Sequence, residues 1–203
     1  MDATSYAREL FQRSLQLKQQ MLADDTYMEQ IAQMGEVMAH CIEKGGKILF
    51  CGNGGSAADA QHLAAELLVR LRSEVDRPGL PAIALAMDSS SMTACGNDYS
   101  YEVFYARMVQ SLGRKGDLLV GITTSGNSPN VLKAFEVARM MGIHTMGLLG
   151  GEGGKALALC DSALVVPSKE TGRVQEMHIT AGHVLMELIE EFLLIRGVIT
   201  PNG

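Results

Sequence analysis

Apolar positions along the chain follow two rhythms. Residues 5–22 and 27–44 repeat Leu, Met and Ile at helical intervals, and EKGG closes the second stretch as a glycine stop. Short unbroken apolar runs follow: KILF (47–50), PAIALA (81–86), DLLVGIT (117–123), HTMGLLG (144–150) and SALVVP (162–167). Continuous rather than alternating runs of this length are those of parallel strands covered on both faces. Helical spacing returns over 57–72, 101–112 and 130–141, and over 173–196 near the end. The pattern predicts an α/β fold, a doubly wound flavodoxin-like sheet of five parallel strands with an N-terminal helical extension. RSEVDRPGLP (72–81) reads as a polar, proline-bearing connection, and no repeat or linker divides the chain. Residues 1–203 are therefore expected to form one domain, with the helices of 1–45 used in packing and oligomerisation.

Composition narrows the function classes. At 203 residues, 47% hydrophobic and 20% charged, the chain is long enough for one large core. A formal net charge of −6 argues against a partner held through nucleic-acid phosphates. Cys41, Cys51, Cys95 and Cys160 are widely spaced and form no C-x-x-C pair, which points to buried thiols in a reducing compartment. The start MDATSYARELFQRS is charged and has no signal-peptide pattern, and no run reaches the roughly 18 apolar residues of a membrane helix. A cytoplasmic protein without membrane partners is the expectation.

In a doubly wound sheet, ligands sit beyond the carboxyl ends of the strands. Two loops there are rich in glycine and hydroxyls: CGNGGS (51–56) after KILF, and TTSGNS (123–128) after LLVGI. Each runs into a helix start, where backbone N–H groups and the helix dipole favour an anion. Thr123, Ser125 and Ser128 could add hydroxyl donors, and Pro129 stands where a first helical residue would. Either loop alone is equally well a turn, but two of them on one sheet favour a phosphate site. Gly52, Gly54 and Ala57 also fit the dinucleotide pattern G-x-G-x-x-A. That pattern needs an acidic residue roughly 20 positions on, and Asp88 lies well outside the spacing.

The helix after the first loop carries His62 and Glu66, four positions apart and so on one face. Imidazole nitrogen and carboxylate oxygen are ordinary ligands for zinc and its neighbours, although such a pair is more often a surface contact. On the last helix, Gln175 and His183 are eight apart and share a stripe, whereas His178 falls on another face as a surface or packing residue.

Six stretches, namely the two N-terminal helices, CGNGGSAADAQHLAAEL, CGNDYSYEVFYARMV, GDLLVGITTSGNSPNVLKA and GRVQEMHITAGHVLMELIE, together resemble the sugar isomerase (SIS) domain proteins. Within them the likeness is to the bacterial phosphoheptose isomerases, and it covers nearly the whole chain. The resemblance implies one zinc ion held by His62, Glu66, Gln175 and His183. It implies substrate contacts from Asn53, Gly54 and Gly55, from Asn97 and Asp98, from Thr123, Thr124, Ser125 and Ser128, and from Glu66, Gln175 and Arg70. Thr123 stands where some members have serine, and Gly172 where some have aspartate. The implied activity is ketose–aldose isomerisation of sedoheptulose 7-phosphate to D-glycero-D-manno-heptose 7-phosphate, for lipopolysaccharide core synthesis, in a homotetramer with sites between subunits. Some relatives are instead non-catalytic tetramers that bind the bacterial replication initiator, and these lack the glutamate that Glu66 supplies here.

The residue types suit the implied reaction. Moving a proton between C1 and C2 through an enediol needs a base near both carbons and an acid or electrophile at the carbonyl. Glu66 is the expected base, and His183 or the metal the expected acid.

Overall fold

The computed structural model describes residues 1–200, so the last three residues of the expected 1–203 unit lie outside the described residues. Its strands are Ile48–Gly52 (β1), Ala82–Ala84 (β2), Leu118–Thr123 (β3), His144–Gly150 (β4) and Ser162–Val166 (β5). All pair in parallel, in the order β2-β1-β3-β4-β5. This is the doubly wound order expected from the apolar runs, with its topological switch between β1 and β3. Gly52 pairs with Ile122 there, so the loops after β1 and β3 leave the sheet side by side.

The helices are Ala3–Leu22 (α1), Asp25–Glu43 (α2), Gly55–Leu68 (α3), Ser89–Asp98 (α4), Phe104–Leu112 (α5), Pro129–Met140 (α6) and Thr171–Ile195 (α7). Asp2, Asp24 and Asp88 each start a helix by accepting backbone N–H bonds from its first turn. One face of the sheet packs Ile48, Phe50, Val120 and Leu148 against α1, α2, α3 and α7. The other packs Leu49, Leu119 and Leu149 against α5 and α6. Burial on both sides is what makes the strand runs continuous. No described helix is long and apolar enough to cross a membrane.

The structure corrects several expected boundaries. The helix expected over 57–72 is α3, which begins at Gly55 and stops at Leu68, so Arg70 is not one helical turn beyond Glu66 but in the following connection. The helix expected over 101–112 opens with a 3₁₀ turn, Tyr101–Val103, before α5. Two elements were not expected: α4, and a 3₁₀ stretch over Gly154–Leu159. Both are short and rich in small residues, so they carry little apolar periodicity to read. His178 is fully buried, so it is the packing residue of the two readings, and its Nε2 meets the Leu149 carbonyl at 3.0 Å. Burial pulls its pKa down to about 4.

Candidate functional site

The two glycine-rich loops are bound together by side chains. Asn53, just after β1, and Asn130, in the first turn of α6, exchange amide hydrogen bonds of 2.9 and 2.8 Å. Tyr101 donates to Asn53 Oδ1 as well, at 2.7 Å. The Asn53 side chain, expected on substrate, is thus engaged in holding one loop to the other. Gly54, at φ +56°, makes the turn into α3, a conformation that costs glycine no Cβ clash. Neither α3 nor α6 has a side-chain cap, which leaves both N-termini to an anion.

In the second loop the hydroxyls of Thr123 and Ser128 pair with each other at 3.0 Å. Ser125 accepts from the Asn127 backbone N–H, and the Asn127 side chain ties the Ser125 carbonyl to the Lys155 N–H. Gly126 has φ +63°, and a Cβ there would stand 1.9 Å from the Gly153 carbonyl oxygen, so only glycine fits where the two loops cross. Thr124, Ser125 and Asn127 line an open cavity of about 380 Å³, with Gly150, Lys169 and Thr171 on its other side. Asn127 and Asn130 were missed from sequence; Asn127 lies inside the second polar loop, and Asn130 just beyond it in the first turn of α6.

On α3, His62 and Glu66 fall on one face, with His62 Nε2 3.2 Å from Glu66 Oε1. His183 of α7, 121 positions away, brings its Nε2 to 2.8 Å from that of His62, with the rings edge-on. The ligand atoms of His62, Glu66 and His183 all lie within 4.8 Å of one another. Two things allow this approach. A Cβ on Gly182, beside His183, would lie 2.7 Å from Leu63, so α7 comes close to α3 because position 182 has no side chain. One turn into α7, the Gln175 amide lies against Gly55 in the same way, with a Cβ there 2.6 Å from Nε2.

The donor set fits a transition-metal ion. Two imidazoles and a carboxylate are ordinary donors, and tetrahedral ligands about 2.0–2.1 Å from zinc stand roughly 3.3 Å apart, near the distances found. Two neutral imidazoles turned Nε2 to Nε2 can make only one hydrogen bond between them, whereas an ion satisfies both. Asp59, one turn before His62, also belongs to this neighbourhood and was missed from sequence. Its spacing to His62 and Glu66, three and seven positions, was the available signal. Burial pushes its carboxyl up from the ordinary range, against the pull of His62 and His183, and its buried Oδ2 has no hydrogen-bond partner.

The remaining expected residues make their hydrogen bonds elsewhere. Asn97 and Asp98 end α4, where Asn97 donates to Asp98 at 2.8 Å, and Asp98 lines a separate cavity of about 320 Å³ with Tyr99 and Arg107. Arg70 is exposed and bonds the Ser73 carbonyl at 3.4 Å. A side chain on Gly172 would meet open space, so the aspartate of some relatives would fit there without rearrangement.

A model of the SIS domain matches residues 11–150. The chain belongs to the SIS domain family. Among curated SIS relatives, it is 50% identical over 199 residues to a phosphoheptose isomerase of Trichlorobacter lovleyi, covering 98% of each chain. It is 51% identical over 181 residues to one of Pelodictyon phaeoclathratiforme, covering 89% of this chain and 85% of that one. Among solved structures, a phosphoheptose isomerase from Francisella tularensis superposes with a TM-score of 0.89 at 38% identity, over 94% of this chain and all of the other. Both polar loops of this chain leave its sheet at the carboxyl ends of β1 and β3.

Proposed function

We propose that the chain is a phosphoheptose isomerase, interconverting sedoheptulose 7-phosphate and D-glycero-D-manno-heptose 7-phosphate in the heptose branch of carbohydrate metabolism that feeds lipopolysaccharide. The observation that carries the reading is the meeting of His62, Glu66 and His183 in a fold that also presents two uncapped helix N-termini, in a chain about half identical to relatives of that name. The substrate's phosphate goes to the second loop, where Thr124, Ser125 and Asn127 line the cavity just before the uncapped start of α6. The first loop, Asn53 to Gly55, and Gln175 close the sugar side. Asn97, Asp98 and Arg70 are kept as substrate contacts on the resemblance alone, and reach it if a second copy completes the site.

A zinc ion, when bound, would be held by His62, Glu66, Gln175 and His183 and would supply Lewis-acid polarisation of the sugar carbonyl. Glu66 Oε1 is the oxygen turned to the imidazoles, which leaves Oε2 to take the proton between C1 and C2. Without the ion, His183 would instead be the acid, handing a proton to the carbonyl oxygen as the enediol forms and recovering it on the way out. The loops fix the phosphate, so the reacting carbons cannot move away from Glu66.

The same reading makes residues 1–203 one SIS unit in a cytoplasmic homotetramer, supported by four cysteines that form no disulfide and by the exposed apolar residues of α1. The alternative, a non-catalytic tetramer on the replication initiator, is disfavoured by Glu66 standing within the cluster. An isomerase assay on sedoheptulose 7-phosphate, with and without zinc, tests the reading. Turnover that rises with zinc supports it, and absence of turnover in zinc-loaded protein overturns it.

A further inference from the structure

Glu66 stands two residues from the end of α3, a position that ordinarily frays. The helix does not end on glycine: its C-cap is Val69, whose N–H reaches back only to Ala65. The next two carbonyls are taken by the connection that follows. Arg77 Nη2 donates to the Glu66 carbonyl at 2.9 Å, and Arg77 Nη1 and the Leu80 N–H donate to that of Leu67 at 3.0 and 2.9 Å. Gly79 runs so close that a Cβ would sit 2.5 Å from the Leu68 carbonyl oxygen.

The same guanidinium reaches α7. Arg77 Nε donates to Glu190 Oε2 at 2.5 Å, while Arg72 Nε takes Oε1 of the same carboxylate at 2.6 Å. Arg77 and Glu190 are both buried, at 5% and 1% exposure. A buried pair of this kind is held by geometry and further hydrogen bonds, and here each remaining Arg77 contact is a carbonyl of α3 or of Pro78. Glu190 is seven residues beyond His183, two turns along the same helix. Gly55 meets Gln175, Leu63 meets Gly182, and the α3 end meets Glu190 through Arg77, so α3 and α7 run in the same direction, fastened at three levels.

We infer that Arg77 is a positioning residue for the reaction, a clamp that holds the last turn of α3, and with it Glu66, at a fixed distance from His183 of α7. The first two levels depend on small residues and only permit approach. The third is the one that binds, and it acts on the Glu66 peptide itself. Without it the Glu66 end of α3 is free to swing from α7, which separates the carboxylate from both imidazoles.

This inference rests on the isomerase reading of the site, and its test separates the two. Arg77→Met combined with Glu190→Leu removes both charges together, so the core is not left with an unpaired ion. In that double variant we expect the melting temperature to stay near the parent's. Zinc affinity, from competition with a chelator, and kcat should each fall about 10- to 100-fold, with KM for the sugar phosphate within about twofold. Parental zinc affinity and parental kcat in the folded double variant overturn the clamp, because a purely structural pair would leave both untouched. If that variant shows no cooperative melting, Arg77→Lys takes its place, since an amine opposite Glu190 cannot also span two carbonyls. The same loss is expected there, and full retention again overturns the inference. Amide exchange of Val69 gives a readout without substrate: it should quicken in either variant, and unchanged exchange counts against the clamp. A parent that binds zinc but turns over no sugar phosphate removes the isomerase reading and leaves the exchange and zinc results to decide the clamp.

Discussion

In the proposed reaction Glu66 has two oxygens and two duties, and removing its charge separates them. Glu66→Gln keeps the shape and an oxygen donor, so we expect kcat to fall about 10²- to 10⁴-fold while the melting temperature holds, as checked by steady-state kinetics and calorimetry. The hydroxyl loop makes a different case. Ser128 is paired with Thr123 and Ser125 caps its own turn, so Ser125→Ala with Ser128→Ala should raise KM severalfold and also cost about 0.5–1.5 kcal/mol of stability per lost bond. Unchanged KM in a folded double variant would move the phosphate to the first loop. These residues differ in how far sequence exposes them. His62 and Glu66 are legible because four positions on a helix is a fixed geometry, and the hydroxyls because they crowd one loop. The Asn53–Asn130 exchange spans 77 positions, and nothing local marks two asparagines as partners. Asp59 was masked for another reason: a lone carboxylate on a helix reads as a solvated charge until the fold buries it.

At the scale of elements, α7 carries both chemistry and core, and the two respond to pH and packing. His178 is buried on α7 with Nε2 on the Leu149 carbonyl and no partner at Nδ1. Its folded pKa of about 4 lies below the ordinary value of 6.5, so between those limits the unfolded chain binds more protons than the native one. Stability therefore rises with pH through that window and is lost as pH falls, by about 3 kcal/mol once both limits are passed. Urea unfolding from pH 7 to 4 should show this slope, and His178→Leu should flatten it despite costing about 1 kcal/mol at pH 7. Gly182→Ala tests the α3–α7 contact directly. The added methyl meets Leu63 and should cost about 1–3 kcal/mol, with zinc affinity reduced in the same variant. The elements themselves were well marked in the sequence, because strands buried on both faces leave unbroken apolar runs. The end of α3 was not, since helical apolar spacing runs on through Leu71 while the chain turns at Val69 under the hold of Arg77, a tertiary contact that periodicity does not register.

For the whole molecule, the metal and the subunit contacts are the two features that a single chain leaves open. In the proposed enzyme an ion between α3 and α7 would tie residues 121 positions apart, and binding to the native state alone would stabilise it by about 3–4 kcal/mol at a hundred to a thousand times Kd. Chelation should thus lower the melting temperature by about 5–15 °C and abolish turnover, and zinc should restore both. Full activity after exhaustive chelation would leave Glu66 and His183 as a metal-free acid–base pair. The subunit contact is argued from α1. Leu17 and Met21 are buried against the rest of the chain, yet Phe11, Leu15 and Leu22 form a stripe on the other side, with exposures of 80%, 55% and 68%. Four- and seven-residue steps place those three within about 40° of one another around the helix. Burying each such side chain is worth about 1.5–3 kcal/mol, so leaving three in water is a cost that a second copy removes. Light scattering at micromolar concentration should give a tetramer for the parent, and Phe11→Asp with Leu15→Asp should reduce the assembly while circular dichroism stays unchanged. Asn97, Asp98 and Arg70 make their hydrogen bonds outside the His62–Glu66–His183 cluster, so KM should rise in that dissociated variant if a neighbouring copy carries them to the substrate. A variant that dissociates and keeps both KM and kcat would show instead that each chain holds a complete site.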